Sequence, residues 1–401
     1  MKQRYLSKVD GVFQTVSRSG LPFGPTVGKP PTSTERIRRQ ARRHLFAERS
    51  FLMRLGCSAW SLLAWPIHVL RQIYCPTSSA LSAKLKEPEK RRLVVRALLQ
   101  SAHPDELHDC ITQHGKDGVR HTVFSADIPS IFHWLNRGVP PPWIADKKGF
   151  ADLCAKRGIP VPDILDLNDR ARLIETARGR GLVIKPTRGS GSKHVSIYLF
   201  QSSRWLRCEE NGFVRLEDLW EDLERKVGKH ARHEQLAQPF FSARSDAFWR
   251  RTGTPASENL PCWPLYVRLV TGRSKSGETS ALAAIYTINL GMEVIPHKRL
   301  DGVIDLETGY AGRPRQVQSY QQFQPECSEP LVQGFLDAKS YVKTLHGTVD
   351  GIALIGWDIL FDGNSFQVLE ANTCLSLLHY QHMLARPIGQ TAFAPVLESY
   401  L

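Results

Sequence analysis

The chain has 401 residues, of which 42% are hydrophobic and 23% are charged, and this composition argues against disorder over most of its length. That length allows two or three domains, or one large domain with insertions. The formal net charge of +14 favours anionic partners but does not choose among nucleotides, acidic small molecules, acidic polysaccharides, nucleic acid and anionic membranes.

The cysteines and the hydropathy of the chain predict whether it forms disulfides, is secreted or spans a membrane. The eight cysteines form no C-x-x-C pair and have no zinc-binding spacing, so we expect reduced thiols, some of them buried. Residues 1–30 contain no apolar segment of the kind found in secretory signals. The most apolar stretch, Phe51 to Tyr74, is interrupted by arginine, histidine and proline and is therefore a poor candidate for a membrane-spanning helix.

Residues 1–90 are predicted to form a basic, partly flexible helical extension. Thr32 and Glu35 have the spacing of a capping box and predict a helix from about Ser33 to Leu55. Seven arginines lie along this helix, namely Arg36, Arg38, Arg39, Arg42, Arg43, Arg49 and Arg54. One interpretation is that the helix and the Trp-rich segment after it lie on an anionic membrane surface. The interpretation we favour is that its apolar face packs on the main domain while the arginines stay in solvent.

The rest of the chain divides at a proline-rich turn. Residues 91–142 are predicted to be a mixed region of helix and short strand, and residues 143–401 are assigned to the main domain. At the start of the main domain, Asp146 can cap a helix that ends at Arg157, with Gly158 as the left-handed stop.

The main domain alternates between helical periodicity and short apolar runs bounded by turn residues. Helices are predicted over 169–180 and 331–345. Strands are predicted over Leu182–Pro186, Val195–Phe200, Tyr266–Thr271, Leu282–Asn289, Gly356–Phe361 and Phe366–Glu370. Residues 201–230 and 242–261 have the character of insertions.

The segment Leu182 to Tyr198 is the first whose residues suggest chemistry. Two apolar strands flank a loop of small residues, Gly189, Ser190, Gly191 and Ser192. Small side chains let backbone N–H groups close around phosphate oxygens, and Lys185 at the end of the first strand can neutralise phosphate charge. No helix with a Gly-Lys-Ser/Thr sequence follows, so this is not a Walker loop. Taken alone, an ordinary turn is the simpler interpretation.

A pair of carboxylates lies near the C-terminus. Asp358 and Glu370 are on two strands joined by a turn, and alternation along a hairpin can bring both to one face, with Asn372 two residues further on. Two carboxylates and an amide oxygen suit Mg²⁺, which takes its remaining ligands from water and phosphates. Apolar neighbours favour this interpretation over that of surface acids beside a hairpin, because carboxylates among them need a cation.

The order of these motifs resembles that of the ATP-grasp superfamily, and most closely that of its sugar-transfer-associated members. The shared motifs are Asp146-Lys147 at the start of a helix, GIPVP, VIKPTRGSGS, EQLAQP and a final D…E-x-N. The resemblance covers about residues 140–385. It implies an α+β fold in which two lobes hold ATP between antiparallel sheets, to which the basic helical extension is added.

The resemblance also implies which residues bind nucleotide and metal. Those for phosphate are Lys147 or its neighbour Lys148, Lys185, and the flap Gly189 to Ser192. Those for adenine and ribose are the hinge residues Glu234, Gln235 and Leu236. Those for the metal are Asp358, Glu370 and Asn372. Those implied in catalysis are Arg268 and Lys185, in contact with phosphate or acyl phosphate, and Asn289, in contact with the metal or the γ-phosphate.

Some features depart from the superfamily pattern or stay open. Lys193-His194 stands where a glycine normally ends the flap, and the segment after the metal ligands lacks the common Pro-Gly. His297 and Lys298 precede a D-x-x-T-G turn at Asp305 to Gly309 that the superfamily shares. Contact with substrate and a solvated loop are equally compatible with this pair.

The function implied by the resemblance is ligation that depends on ATP and Mg²⁺. A carboxylate is activated as an acyl phosphate and is then attacked by an amine or thiol, and the family suggests a sugar or polysaccharide-pathway substrate. The alternatives are an ATP-grasp kinase that phosphorylates a hydroxyl or carboxylate, and a non-catalytic nucleotide-binding protein. A nucleic-acid partner is not expected, since no motif for one is present. ATP dependence and the missing signal predict a cytoplasmic location, with peripheral membrane contact through the basic N-terminus left open.

Overall fold

The fold is given by a computed structural model, in which the following residues are described: 31–47, 65–74, 85–100, 102–136, 141–188, 195–201, 204–207, 212–214, 221, 235–241, 265–289, 299–312, 315–316, 332, 334–362 and 365–401. They include the strands of two sheets and the helices that pack on them. Several predicted features lie outside them, namely the flap Gly189 to Ser192, Glu234, and the pair His297 and Lys298.

The helices and strands that sequence periodicity predicts in the main domain form close to their predicted bounds, and five further strands among the described residues were not predicted. The helices in the described part are α1 Ser33–Ala47, α2 65–74, α3 Glu87–Gln100, α4 Pro104–Gly118, α5 Ile128–Leu135, α6 Pro142–Ala145, α7 Lys147–Lys156, α8 Arg170–Arg180, α9 Phe335–Gly347, α10 Leu377–Leu384 and α11 Phe393–Glu398. The strands are β1 Leu182–Pro186, β2 Ser196–Gln201, β3 Arg204–Arg207, β4 Gly212–Val214, β5 Gln235–Pro239, β6 Leu265–Arg273, β7 Thr279–Asn289, β8 Arg299–Val303, β9 Arg315–Gln316, β10 Leu354–Phe361 and β11 Phe366–Asn372.

The predicted caps of α1 and α7 are confirmed. The Thr32 hydroxyl accepts a hydrogen bond from the backbone N–H of Glu35 at 3.2 Å, and the Glu35 carboxylate accepts one from Thr32 N at 2.9 Å. This reciprocal pair is a capping box. At α7, the Asp146 carboxylate accepts from Lys148 N at 3.1 Å, and Gly158 follows the helix with a φ of +67°. The α7 cap fixes the orientation of the first turn of that helix, which carries Lys147.

Two antiparallel sheets form the framework. The smaller sheet has the strand order β4-β3-β2-β1-β5, and the larger has the order β11-β10-β6-β7-β8-β9. In the larger sheet, the register of β10 places Asp358 opposite Glu370 of β11 on one side and opposite Arg268 of β6 on the other. The predicted α+β class is therefore confirmed, and its sheets are antiparallel.

The larger sheet is buried on both faces. One face packs on α7 and α9 in a cluster that includes Phe150 and Trp357. The other packs on α1, α5, α10 and α11 in a cluster that includes Ile37 and Val270. By contrast, the apolar cluster described on the smaller sheet consists of Ile197, Leu199 and Phe240 with two partly buried valines. The larger sheet is thus the rigid platform of the described part.

The expectation that the arginines of α1 stay in solvent is wrong for two of them. Arg38 Nε donates to Asp127 Oδ2 at 2.7 Å, and Arg42 donates to Oδ1 of the same carboxylate. All three residues are buried. Buried charges are tolerated when they are paired and hydrogen-bonded in this way. The expected packing of the apolar face on the main domain is observed, since Ile37 and Ala41 share a cluster with strands of the larger sheet.

The region 91–142 also differs from the mixed region of helix and strand that was expected, because no strand lies among the residues described there. An extended piece is present at Val123, but the Gln381 side chain takes the place of a neighbouring strand. It donates to Val123 O at 2.7 Å and accepts from Val123 N at 2.8 Å. Of the helices in the described part, none is both long and apolar enough to cross a membrane.

Candidate functional site

The candidate site begins with the hairpin of β10 and β11. Asp358 lies directly opposite Glu370, and Gly356 lies opposite Asn372. Asn372 Nδ2 donates to Asp358 Oδ2 and to Glu370 Oε1, at 3.2 Å in both cases. The two carboxylates therefore converge on one amide group, as the alternation of the sequence predicts. Asp358 is only 3% exposed, so its charge needs partners close by.

Local sequence explains why the hairpin holds this shape. In the turn, the Asp362 carboxylate accepts hydrogen bonds from Ser365 N at 2.7 Å and from Ser365 Oγ at 2.9 Å. On β10, a side chain at Gly356 would place a Cβ 2.4 Å from a Leu375 methyl carbon. The glycine therefore lets the segment after Asn372 pack directly on β10.

Arg268 of β6 binds Asp358 in a bidentate ion pair. Its Nε donates to Oδ1 at 2.6 Å, and a terminal nitrogen donates to Oδ2 at 2.7 Å and also to the Tyr266 hydroxyl at 2.7 Å. Burial, the largest single influence, would lower the pKa of Arg268, but the charge of Asp358, the charges of neighbouring tyrosines and the hydrogen bond to Asp358 together outweigh burial and raise it. Burial, followed by the negative charge of Asp358, raises the pKa of Tyr266 well above its ordinary value. Arg268 is therefore a permanent cation beside a neutral phenol.

Lys147 approaches the carboxylates from the start of α7. Its backbone N–H donates to Thr187 O at 3.0 Å, which ties α7 to the end of β1. Its Nζ lies 3.3 Å from Glu370 Oε2. Lys148, the alternative that the sequence leaves open, is exposed, and its backbone N–H is the group capped by Asp146. The structure therefore places Lys147, and not Lys148, beside the acidic pair.

Lys185 is the second lysine beside the carboxylates, and it is buried near the end of β1. Burial, with a smaller contribution from the positive charge of Lys147, lowers the pKa of Lys185 to about 8. The negative charges of Glu370 and Asp358 act in the opposite direction. Because charges influence a pKa only at short range, this ammonium group, Lys147 and the two carboxylates share one electrostatic environment.

The predicted hinge lies next to Lys185 in the smaller sheet. Gln235 pairs with Pro186, and Leu236 pairs with Lys185. Leu236 is buried, whereas Gln235 is partly exposed at the start of β5. The structure thus brings two of the three hinge residues to the strand that carries the second lysine, and Glu234 lies outside the described residues.

Asn289 ends β7, where its backbone pairs with Arg299 of β8, and its side chain is outside the described part.

The D-x-x-T-G turn forms as the sequence predicts. The Asp305 carboxylate accepts from the backbone N–H and the hydroxyl of Thr308, both at 2.7 Å, and Gly309 has a φ of +77°.

A further polar group on the larger sheet was missed by sequence reasoning. The Asp301 carboxylate of β8 is buried, accepts from Thr287 Oγ1 at 2.7 Å and lies 3.6 Å from His379 Nε2 of α10. Thr287 lies opposite both Asp301 and Tyr266 in the sheet. The polar row that starts at Arg268 and Tyr266 therefore extends across β7 to β8. Polar residues at matching positions of otherwise apolar strands are the signal that could have revealed it.

The donor set of the hairpin fits a hard divalent cation. A carboxylate offers about four lone-pair positions, so Asp358 can accept from Arg268 and still ligate a metal. A half-turn of the Asn372 amide would present its oxygen where Nδ2 now lies. In the described part of the chain, no group of three or more His, Cys, Asp and Glu side chains could hold a metal ion by itself. A cation here would therefore need further ligands from phosphate or water, as Mg²⁺ typically does.

Comparisons with known proteins give similarities of overall structure only. No protein-family model matches the chain, and no curated protein matches it. The biotin carboxylase domain of 2-oxoglutarate carboxylase from Hydrogenobacter thermophilus, solved with MgADP, ADP and bicarbonate, is 13% identical with a TM-score of 0.34, over 60% of this chain and 45% of that one. D-cycloserine synthetase DcsG is 19% identical with a TM-score of 0.36, over 64% of this chain and 70% of that one. The ATP-grasp ligase PsnB, solved with a minimal precursor, is 12% identical with a TM-score of 0.36, over 73% of this chain and 74% of that one.

The chain thus spans less than half the length of the carboxylase structure that it matches. Likeness at these identities and TM-scores assigns neither a substrate nor an activity to this chain. Any assignment must come from the side chains at the hairpin.

Proposed function

We propose that this chain is an ATP-grasp enzyme that binds ATP with Mg²⁺ and activates a carboxylate as an acyl phosphate for attack by an amine or thiol. One observation carries the proposal, namely that lysines and carboxylates more than 170 positions apart in the sequence meet at one place. Lys147 Nζ lies 3.3 Å from Glu370 Oε2, and the pKa of Lys185 responds to both carboxylates. The order of the sequence motifs points to the same superfamily.

The charges at the candidate site favour the binding of a polyanion together with a metal cation. Three cationic side chains (Lys147, Lys185 and Arg268) lie beside two carboxylates (Asp358 and Glu370). The cations can neutralise phosphate oxygens directly, while the carboxylates can hold a metal that neutralises the others. Charges placed in advance are the main contribution of a protein to phosphoryl transfer, because they need no reorganisation during the reaction.

Each side chain has a distinct task in this proposal. Asp358, Glu370 and Asn372 would hold Mg²⁺, which when bound supplies charge neutralisation and orientation of the phosphates. Lys147 and Lys185 would bind phosphate oxygens as point charges. Arg268 is anchored by Asp358 and its side chain is 41% exposed, so part of its guanidinium group can contact the transferred phosphoryl group or the substrate carboxylate.

The remaining parts of the proposal rest on the sequence. The flap Gly189 to Ser192 would close over the phosphates, and Glu234 to Leu236 would bind adenine and ribose. Asn289 would contact the metal or the γ-phosphate. The resemblance to sugar-transfer-associated members suggests a sugar-derived carboxylate or acceptor, and the activity would then belong to a polysaccharide pathway in the cytoplasm.

A first experiment tests nucleotide binding by the purified full-length chain. We expect ATP to raise the melting temperature only when Mg²⁺ is present, because bound ligand stabilises the folded state by mass action. A chain that retains no adenine nucleotide with Mg²⁺ would refute the proposal.

A second experiment tests the reaction class without knowledge of the natural acceptor. Carboxylates, including uronic acids and amino acids, are screened for ADP release in the presence of hydroxylamine, which traps an acyl phosphate as a hydroxamate. Ligase chemistry predicts hydroxamate formation that requires both ATP and one carboxylate. ADP release with a stable phosphate ester on the product would instead identify a hydroxyl kinase, and an acyl phosphate released as the product in the absence of any amine would identify a carboxylate kinase. Binding without turnover on any compound would favour a nucleotide-binding protein.

A further inference from the structure

The described helix α2 is apolar on its inner face. Trp65, Val69 and Ile73 are at most 1% exposed, and they pack with Leu93 and Ala97 of α3. Their spacing of four residues places them on one side of the helix, as in any amphipathic helix that packs on a core. An ordinary helix of this kind would carry polar residues on its other side.

The outer face of α2 is apolar as well. Ile67 is 66% exposed, Leu70 is 44% exposed and Tyr74 is 41% exposed. Spacings of three and four residues place these three side chains together on the side opposite to Trp65 and Val69. Single exposed apolar residues are common on protein surfaces, whereas three large ones together on one helix face form a small apolar patch that can contact another surface.

Basic residues lie beside this outer face and on the neighbouring helix α3. Arg71 is exposed on α2 itself, and Lys90 of α3 lies with its Nζ 5.9 Å from the centre of the Tyr74 ring. In the described ranges 65–74 and 85–100, six basic residues outnumber Glu87 and Glu89, namely Arg71, Lys86, Lys90, Arg91, Arg92 and Arg96. An occupant of this face therefore needs an apolar interior and a negatively charged rim.

We propose that the outer face of α2 docks on an anionic lipid membrane. A helix of ten residues is about 15 Å long and about 10 Å wide, so its face covers roughly 150 Å². A specific protein partner typically requires about 800 Å² per side. A bilayer has no such requirement, because Ile67 and Leu70 can enter the boundary between headgroups and acyl chains while Tyr74 stays at headgroup level. Anionic headgroups then meet Arg71 and Lys90.

The attachment of α2 to the rest of the molecule would transmit this contact. The α2–α3 cluster continues to Phe124, and the Arg38 guanidinium carbon lies 4.9 Å from the centre of the Phe124 ring. Arg38 in turn is paired with buried Asp127, and α1 packs on the larger sheet. Docking at α2 therefore positions the sheet that carries the candidate site at a fixed distance from the membrane.

The test is sedimentation of the full-length protein with vesicles. The protein is expected to sediment with phosphatidylcholine vesicles that contain phosphatidylserine, much less with phosphatidylcholine alone, and to be released by salt. The triple variant Ile67→Ser, Leu70→Ser, Tyr74→Ser is expected to reduce binding at least about tenfold. A matched control is Leu336→Ser, Tyr341→Ser on α9, where the side chains are 44% and 41% exposed, and its binding should not change.

Several outcomes would overturn the proposal. They are failure of the unmodified protein to bind phosphatidylserine vesicles, equal binding by the triple variant, and a concentration-dependent dimer that the triple variant abolishes, which would assign this face to a second copy of the chain. If the triple variant has a lowered melting temperature, the single variant Ile67→Ser is used, for which a smaller loss of binding is expected. The melting-temperature shift with MgATP, measured on the same variants, should be unchanged, so this test is separate from that of the proposed function.

Discussion

The two sheets differ in how firmly they hold their functional residues. The larger sheet is buried on both faces, and its acidic pair is fixed by hydrogen bonds from Arg268 and Asn372. The smaller sheet carries Lys185, with a described apolar cluster that is much smaller. Lys147 lies between the two, because its helix α7 packs on the larger sheet while its backbone N–H donates to Thr187 after β1.

The comparison suggests a division of roles between the sheets. The carboxylates proposed to bind metal belong to the larger sheet, which is packed on both faces without a ligand. The lysines proposed to bind phosphate lie where the smaller sheet meets the larger one, and a bound nucleotide would contact both. Substitutions on the larger sheet should therefore remove binding, whereas those at the junction should weaken it by smaller amounts.

The largest effect is expected for Asp358→Asn. Loss of this carboxylate removes both a metal ligand and the partner of Arg268, so MgATP affinity should fall by more than the roughly 10- to 100-fold typical of residues that only orient a ligand. The matched control is Asp350→Asn. Like Asp358, Asp350 pairs with an arginine of β6, in this case Arg273 at 2.6 Å. Asp350 is 93% exposed, so MgATP affinity should stay within about twofold in this variant. MgATP affinity of both variants is measured by titration calorimetry, and equal losses of affinity in the two would contradict the proposed metal site.

A smaller effect is expected for Lys147→Met. The variant removes one charged contact to phosphate, for which about 1.5–3 kcal/mol, or roughly 10- to 100-fold in affinity, is typical. Lys148→Met is the matched control, because the two lysines are adjacent and Lys148 is exposed. Its affinity for MgATP should change by no more than about twofold. The reverse order of effects would assign the phosphate contact to Lys148.

Sequence patterns predicted this site where the relevant residues are close in the chain. Asp358 and Glu370 lie 12 positions apart on one hairpin, so alternation along the strands was enough to bring them to one face. The caps of α1 and α7 are likewise local, since each needs residues only two or three positions apart. Short-range geometry of this kind is set by backbone dimensions and needs no knowledge of the tertiary fold.

Residues that meet across long stretches of chain could not be predicted. The ion pair of Arg268 with Asp358 joins residues 90 positions apart, and that of Arg38 with Asp127 joins residues 89 apart. A count of arginines on α1 gives no sign that Arg38 and Arg42 point into the core, because the carboxylate that compensates them lies in another segment. The described residues between 91 and 142 form no strand, and at Val123 the backbone groups that a neighbouring strand would bind are occupied by the side chain of Gln381, 258 positions away.

A pH dependence is expected at the junction of the sheets. In the free protein, burial first and the charge of Lys147 second lower the pKa of Lys185 to about 8. Phosphate binding favours the protonated ammonium, so binding above this pKa requires proton uptake, and MgATP affinity should fall by up to about tenfold per pH unit as the pH rises above about 8. Lys185→Met should bind more weakly at every pH, with a flatter profile between about pH 7 and 9. If MgATP affinity depends on pH in the same way in the natural chain and in Lys185→Met, then Lys185 does not contact the nucleotide.

The smallest effect on binding is expected from His346 of α9, which is buried against the larger sheet. His346 Nδ1 lies 2.7 Å from the Thr271 hydroxyl, and its Nε2 lies 3.0 Å from Ile352 O. Burial, which outweighs the hydrogen bond to Ile352 and is assisted by Arg273, lowers the pKa of His346 to about 4. Below its unfolded pKa of about 6.5, the unfolded chain binds a proton that the folded chain does not, so this residue removes stability as the pH falls from about 6.5 to 4.

The variant His346→Gln isolates the contribution of this histidine to the pH dependence of the free energy of unfolding. It should be less stable than the natural chain at pH 7, because the histidine hydrogen bonds are lost, but its free energy of unfolding should fall less steeply on acidification, by up to about 1.4 kcal/mol per pH unit. MgATP affinity at pH 7 should remain unchanged, because α9 packs on the face of β10 that carries Trp357, and alternation along the strand places Asp358 on the other face. Identical pH slopes in urea unfolding would show that His346 is not the acid-sensitive group of the larger sheet. A change in MgATP affinity at neutral pH would show that the platform and the candidate site are coupled more tightly than the two-sheet comparison implies.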